Sequence, residues 1–396
     1  MSATVPRRIL WVPSWYPTPE APLNGSFFAE QVEHLRRAGH RVAVAATSPL
    51  SAATLRRQGP RHALTMHQDR DDPRIVRLGV PIPPPRAQMG DSAVAKERAQ
   101  AIIRRWRGHR PPEVIHAHSA LPGLLVAREL AHAWGVPYGF TEHRPSSLEL
   151  PPNHPRTCRL RDYVGEAAFR IGVASEFSAA LATYYDAPFT TVPLPVAEYF
   201  FDTALRKPGE TFTFLHVSLV DDNKRADTVV KACAALAETH ADIRCRIIGA
   251  SGEVARLLTE LAQRLGISER VSIEPPADRA AIAEAMSHAD CFVLYSRVEA
   301  GGTVLGEALA SGTPIVASAT TAGRSYASRA TGGLVPVDDH AALVTTMEDV
   351  YRRRRSGDLA PAALREYART RFSPAAFAER QGCMYEQAIV AHSPSR

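Results

Sequence analysis

The constraint that most narrows the fold of this chain is a rhythm. Short, unbroken apolar runs alternate with longer stretches of helical spacing, and the pattern runs through twice. In the first half it predicts strands at residues 9–12, 42–45, 114–118 and 138–141, with helices at 27–38 and 123–134. It restarts at 212–217 and continues with strands at 244–248, 271–273, 291–295 and 314–318. Helices at 225–237, 254–265, 279–288 and 303–310 separate these. A strand that is apolar at every position is buried on both faces, and strands alternating with helices pair in parallel. The expectation is therefore an α/β protein of two Rossmann-like α/β/α halves. Prolines at 193, 195 and 208, with Gly209, suit a hinge near residues 192–208. A last helix is predicted at 373–390. The domains are drawn at 1–195, 196–372 and 373–396. Residues 81–85, Pro-Ile-Pro-Pro-Pro, read as loop.

Composition narrows the class further. With 396 residues, 45% of them hydrophobic and 22% charged, the chain has the profile of an ordinary globular protein. At that length it buries its cores without staples, so disorder, collagen and a disulfide scaffold are excluded. Lys and Arg number 47 against 41 Asp and Glu, a net charge of +6. The excess is spread along the chain, which suits an anionic substrate or a loose attraction to acidic lipid rather than nucleic acid. Cys158, Cys233, Cys245, Cys291 and Cys383 form no C-x-x-C pair and read as reduced, mostly buried thiols. The apolar run 9–12 stops at Pro13, too short for a signal core or a membrane span. A cytoplasmic location is expected, with weak peripheral membrane contact as an accessory. The basic stretch from Arg98 to Arg110, around Trp106, reads either as a helix on a membrane surface or as a solvated face.

The window from Ser296 to Pro314 holds the most chemistry: Ser-Arg-Val-Glu299-Ala-Gly301-Gly302-Thr303-Val-Leu-Gly-Glu307, closed by Ser311-Gly312. It follows a strand, and in open α/β sheets ligands bind beyond the carboxyl ends of strands. Glu299 then sits in a loop at a binding edge. Gly301 and Gly302 turn the backbone before a helix whose free N–H groups and dipole suit a phosphate. Glu307, about one turn into that helix, can accept two hydrogen bonds from a diol such as a ribose.

These residues resemble the E-x7-E signature of retaining, nucleotide-sugar-dependent glycosyltransferases of the GT-B fold, glycosyltransferase family 4. The resemblance extends to Trp15-Tyr-Pro-Thr-Pro19 with Asn24-Gly25-Ser26-Phe27, to Val114-Ile-His-Ala-His118, to Thr141-Glu-His143 and to the segment from His216 to Lys224. It implies two domains facing a cleft, with the last helix crossing back to the first domain. It also implies roles. Glu299 holds hydroxyls of the donor sugar and Glu307 the ribose. Gly302 and Thr303 give N–H groups to the diphosphate, Lys224 is its counter-ion, and His143 and Gly25 close over the sugar. Two departures stand out: Ser218-Leu219 replaces the family's glycine-arginine, and Gly301 replaces a phenylalanine. A diphosphate leaving group carries two to three charges, whereas Lys224 offers one and a helix end about half of one. A further cation is thus expected, with Arg225 preferred over Arg297 and Arg324.

The remaining polar features read as structural. His116 and His118 share a strand face without a third ligand nearby, so they are expected to be satisfied strand-end histidines rather than metal ligands. Asp69-Arg-Asp71 resembles the D-x-D of metal-dependent transferases, but it precedes Asp72-Pro73 and reads as a turn. The overall expectation is front-face transfer to a small-molecule or lipid-linked acceptor, without metal or cofactor. A nucleotide-sugar epimerase and a non-catalytic sugar-nucleotide binder stay open as alternatives. A nicotinamide oxidoreductase is disfavoured because Pro13-Ser-Trp-Tyr-Pro17 stands where G-x-G-x-x-G would follow the first strand.

Overall fold

In a computed structural model the described residues are 5–22, 24–59, 64–82, 89–207, 209–299 and 301–393. Pro83–Pro85, Pro208 of the expected hinge and Ala300 lie outside them. The chain divides into a first unit, Met1–Leu194 with Phe377–Arg396, and a second, Pro195–Ala376.

The first unit is built on eight strands: β1 (Arg8–Pro13), β2 (Arg41–Leu50), β3 (His67–Gln68), β4 (Ile75–Pro81), β5 (Val114–His118), β6 (Tyr138–Glu142), β7 (Phe169–Gly172) and β8 (Thr190–Thr191). Their order is β3-β4-β2-β1-β5-β6-β7-β8. All pairs are parallel except β3–β4. Helices cover both faces, as the apolar strands require: Ile9 to Val12 are all at most 1% exposed. The strand order reverses between β1 and β5, which are neighbours in the sheet but lie on opposite arms of the chain's path. Such a switch point opens a crevice at the carboxyl ends of the strands.

The second unit repeats the plan with six parallel strands: β9 (Phe212–Val217), β10 (Ile243–Ile248), β11 (Val271–Glu274), β12 (Cys291–Leu294), β13 (Ile315–Ser318) and β14 (Gly332–Val335). Their order is β11-β10-β9-β12-β13-β14, so the switch point lies between β9 and β12. The α/β rhythm thus gives the two Rossmann-like units it predicts. Three thiols, Cys233, Cys245 and Cys291, are buried in this unit, whereas Cys158 and Cys383 of the first unit are exposed.

The helix Pro374–His392 ends in the first unit. Its Tyr385 is fully buried, and the hydroxyl joins two strands by accepting from Trp11 Nε1 at 3.1 Å and meeting His116 Nδ1 at 2.8 Å. His116 Nε2 meets Thr141 Oγ1 at 2.8 Å, so both nitrogens of His116 are taken and neither offers a lone pair to a metal. Arg7 clamps the same helix through Glu386, at 2.8 Å from Nε. Asp69 forms the expected turn: its Oδ1 accepts from the backbone N–H of Asp71 and Asp72.

The basic stretch after Arg98 departs from the membrane-surface reading. Its helix, Met89–Arg105, buries Ala95, Ala99 and Ile102 in the core, and Ile103 and Trp106 pack against them. The apolar side that a bilayer would take is already packed against the helix Leu125–Trp134 and β4. Among the described residues no helix is long and apolar enough to cross a membrane.

Removing the Tyr385 hydroxyl leaves Trp11 Nε1 and His116 Nδ1 buried without a partner, at a cost of about 1–3 kcal/mol per orphaned group. Tyr385→Phe is expected to lower the urea midpoint of the first unit's unfolding. An unchanged midpoint would show that the relay is not what holds this helix.

Candidate functional site

In the second unit the loops that follow β9 and β12 leave the sheet side by side, because those strands pair in register from Cys291↔Phe214 to Phe292↔Leu215. Asn223 stitches the loops together. Its carbonyl accepts from Arg297 N at 3.0 Å. Its side-chain amide accepts from Val298 N at 2.9 Å and donates to Val298 O at 3.1 Å. The next residue on each strand of this seam carries the chemistry: Lys224 Nζ lies 2.5 Å from Glu299 Oε2. Both side chains are about one-fifth exposed, so the pair is reachable from solvent yet partly desolvated.

Beyond Glu299 the chain turns into the helix Thr303–Ala310 with Gly302 as its N-cap. Gly302 has φ 54°, and a Cβ there would stand 2.5 Å from Cβ of Ala322. Glycine is required on both counts. The backbone carbonyl of Glu299 accepts from Ala322 N at 2.9 Å, which fixes the turn from the other side. The first N–H groups of a helix have no intrahelical acceptor, so Thr303 begins a helix end that favours an anion. Glu307 is 5% exposed and accepts from Arg279 Nη2 at 2.9 Å, while Arg279 Nε donates to Tyr199 Oη at 2.7 Å. Burial first, then the charges of Glu307 and Glu299, raises the Tyr326 phenol well above its usual range. The Tyr326 ring stands 3.7 Å from where a Cβ at Gly302 would lie, at the turn that joins the two glutamates.

Arg225, the preferred extra cation, is differently committed. It is buried at the start of the next helix with φ 49°. Its guanidinium lies 3.9 Å from the Tyr295 ring centroid, donates from Nε to Tyr295 O at 2.9 Å, and pairs with Asp338. Only Nη2 lacks a hydrogen-bond partner among the described residues. Arg297 is more exposed and touches the same Asp338 at 3.5 Å. Leu219, in the place of the family's arginine, is 72% exposed. Gly301 is half-buried beside Gly302.

In the first unit the corresponding loops follow β1, β5 and β6. Glu142 is fully buried, and its carboxylate accepts four hydrogen bonds: from Ser119 Oγ, Ala120 N, His143 N and Arg144 N, at 2.7–3.1 Å. This residue, named in the Thr141-Glu-His143 stretch but given no role there, is what aims His143. The His143 Nε2 lies 3.1 Å from His118 Nδ1. Between two neutral imidazoles one ring donates and the other accepts. Either choice leaves His118 Nε2 and His143 Nδ1 without a partner among the described residues. His118 is therefore not the fully satisfied histidine expected of it. Gly25 caps the helix Ser26–Arg37 with φ 82°, and a Cβ there would stand 2.7 Å from Trp15 Cδ1. The Trp15 ring lies beneath the guanidinium of Arg144 at 3.6 Å, and Phe28 meets His143 edge-on at 4.9 Å.

Burial, followed by the nearby Arg144 charge, lowers His143 to about 3. It is thus neutral at physiological pH, able to hydrogen-bond but not to act as an acid. Between the ordinary value of 6.5 and about 3, the unfolded chain binds a proton that the folded chain refuses, so stability falls as pH drops through that window. Each such ring contributes a slope of up to about 1.4 kcal/mol per pH unit. His143→Gln should make the loss of urea stability between pH 7 and pH 4 shallower than in the wild type. Parallel pH profiles would refute this burial effect.

Residues 200–371 match the family described as Glycosyl transferases group 1, and residues 25–196 match Glycosyltransferase Family 4. The chain is 31% identical over 293 residues to D-inositol 3-phosphate glycosyltransferase 1 of Catenulispora acidiphila, covering 67% of this chain and 69% of that protein. Its fold is similar to that of sucrose-phosphate synthase from Thermosynechococcus elongatus, with a TM-score of 0.69 at 19% identity over 97% of this chain and 100% of the other. It is also similar to Anabaena HepE, solved in complex with UDP, with a TM-score of 0.67 at 15% identity over 96% and 99% of the two chains.

Proposed function

The chain belongs to glycosyltransferase family 4, and from that premise we propose that it moves a sugar from a nucleoside-diphosphate donor to a hydroxyl acceptor, with retention at the anomeric carbon and without metal. The observation that carries this reading is the shared corner of Lys224, Glu299, Gly302 and Glu307. Lys224 and the helix end at Thr303 meet the diphosphate. Glu299 accepts from hydroxyls of the sugar, and Glu307, fixed by Arg279, accepts from the ribose diol. Arg225 reaches the diphosphate only by turning Nη2 toward it, since Asp338 holds the rest of its charge.

In the step itself the acceptor oxygen forms its bond to the anomeric carbon on the face from which the C–O bond to phosphate breaks. The bonding pair leaves with the phosphate oxygen, and that oxygen takes the acceptor's proton. The residues of this chain position both partners and stabilise the charge that develops on the leaving group. His143, being neutral, contributes a hydrogen bond to the sugar. A hydroxyl both donates and accepts, so it satisfies the open Nδ1 in either tautomer. The acceptor is proposed to be a phosphorylated polyol, following the printed name of the Catenulispora relative, with Arg144 as the cation beside His143.

A charge-assisted contact contributes about 1.5–3 kcal/mol, so Lys224→Ala should lower kcat/KM at least tenfold. Normal turnover in that variant would remove Lys224 from the mechanism. Thermal shifts with uridine, guanosine, thymidine and adenosine diphosphates should single out one base, and the corner reading fails if none stabilises the protein. With the donor identified, proton NMR of the product formed on inositol phosphate should show the donor's own anomeric configuration. An inverted product would exclude front-face attack.

A further inference from the structure

We propose that a basic pocket at the amino-terminal edge of the first unit's sheet is a second binding site, for a small anion carrying two or more phosphate groups. The pocket, of about 860 Å3, opens between the first residues of β1 and β2, the start of β4, and the segment that follows the helix Met89–Arg105. The candidate residues of this unit, Gly25 and His143, lie beyond the carboxyl ends of β1 and β6. The two sites therefore occupy opposite ends of the same parallel sheet.

Six arginines line the pocket: Arg8, Arg36, Arg41, Arg74, Arg105 and Arg110. Among the described lining residues there is no carboxylate. The nearest counter-ions are shared: Asp72 is split between Arg36 and Arg74, and Glu113 between Arg8 and Arg7. Arg41, Arg105 and Arg110 have no carboxylate partner among the described residues, and Arg105 Nη2 donates only to the neutral Gln68 Oε1 at 2.7 Å. Like charges gathered this way raise the local potential and attract a multivalent anion. The guanidinium fork matches phosphate oxygens in pairs.

A histidine adds an independent observation. His40 lines the same pocket and is 4% exposed. Its Nδ1 accepts from the Arg7 N–H at 3.2 Å, so the proton of the neutral ring sits on Nε2. That donor is buried without a partner among the described residues. Volume decides the class of ligand. Small-molecule sites enclose about 300–1,000 Å3, whereas a macromolecule needs a broad face.

The test is isothermal titration of the full chain with inorganic tripolyphosphate at low salt, beside vesicles containing phosphatidylglycerol. Binding should persist in Lys224→Ala/Arg144→Ala, whose cations belong to the other sites. It should weaken at least tenfold in Arg41→Ala/Arg110→Ala, two exposed side chains whose loss leaves the core intact, and it should weaken with added salt. If vesicles bind and tripolyphosphate does not, with the same dependence on Arg41 and Arg110, the site reads a lipid surface and the small-anion proposal is overturned. Wild-type affinity in Arg41→Ala/Arg110→Ala, or no binding of either probe, overturns the site.

Discussion

The seam between β9 and β12 is the constraint on which the second unit's chemistry depends. These strands lie far apart in the chain, and only their parallel pairing brings the loops after them together. Asn223 continues the pairing past the sheet with three hydrogen bonds to Arg297 and Val298. At a net 0.5–1.5 kcal/mol or so each, such bonds fix a loop that side-chain contacts alone would leave free. Lys224 and Glu299 are then the next facing residues, and their ion pair follows from register. A sheet without a reversal of strand order at this point would have a crossover helix where the two loops now meet.

The first unit reaches a comparable arrangement by different means. Its crevice is organised around buried polar groups that carry no charge: the imidazoles of His116, His118 and His143, and the Tyr385 phenol. The exception is Glu142, fully buried and accepting four hydrogen bonds. Hydrogen bonding of that density replaces hydration and lets a carboxylate sit in a core. It also explains the local geometry, since Ser119 adopts φ 64°, a strained value for a residue with a side chain, directly against this carboxylate. The cost of holding the loops after β5 and β6 in place is met at Glu142, leaving His143 with an unpaired nitrogen.

Much of this was legible in the sequence, and the pattern of what was not is physical. β12 and residues 9–12 of β1 are apolar throughout because both faces are covered, and such runs read directly. β4 hides because Arg77, Gly79 and Pro81 break its apolar run, and β7 hides because Arg170 and Gly172 leave it only two large apolar residues, Phe169 and Ile171. In the corner, the glycines and glutamates stand in one continuous window, so spacing alone located them. Asn223, Arg279 and Asp338 act across loops distant in sequence, and no periodicity marks them. Arg225 illustrates the limit of adjacency. Its position beside Lys224 suggested a shared task, but the left-handed backbone at Arg225 turns its side chain inward, onto Tyr295 and Asp338.

That inward turn bears on how one corner could serve both a phosphate and a sugar. The charge of Lys224 is balanced by Glu299, and that of Arg225 by Asp338. On the proposed reading, a diphosphate entering this corner competes for Lys224 with a carboxylate that is itself needed for the sugar. The competition is productive. As Lys224 swings its hydrogen bonds toward phosphate oxygens, Glu299 loses a partner in a partly desolvated place and must find donors elsewhere, which sugar hydroxyls supply. Glu307 needs no such release, because its ion-pair partner is Arg279 and not the lysine that the diphosphate draws away. A nucleoside diphosphate without a sugar would break the Lys224–Glu299 pair and leave the glutamate uncompensated, so on this account the intact donor binds more tightly than its leaving group.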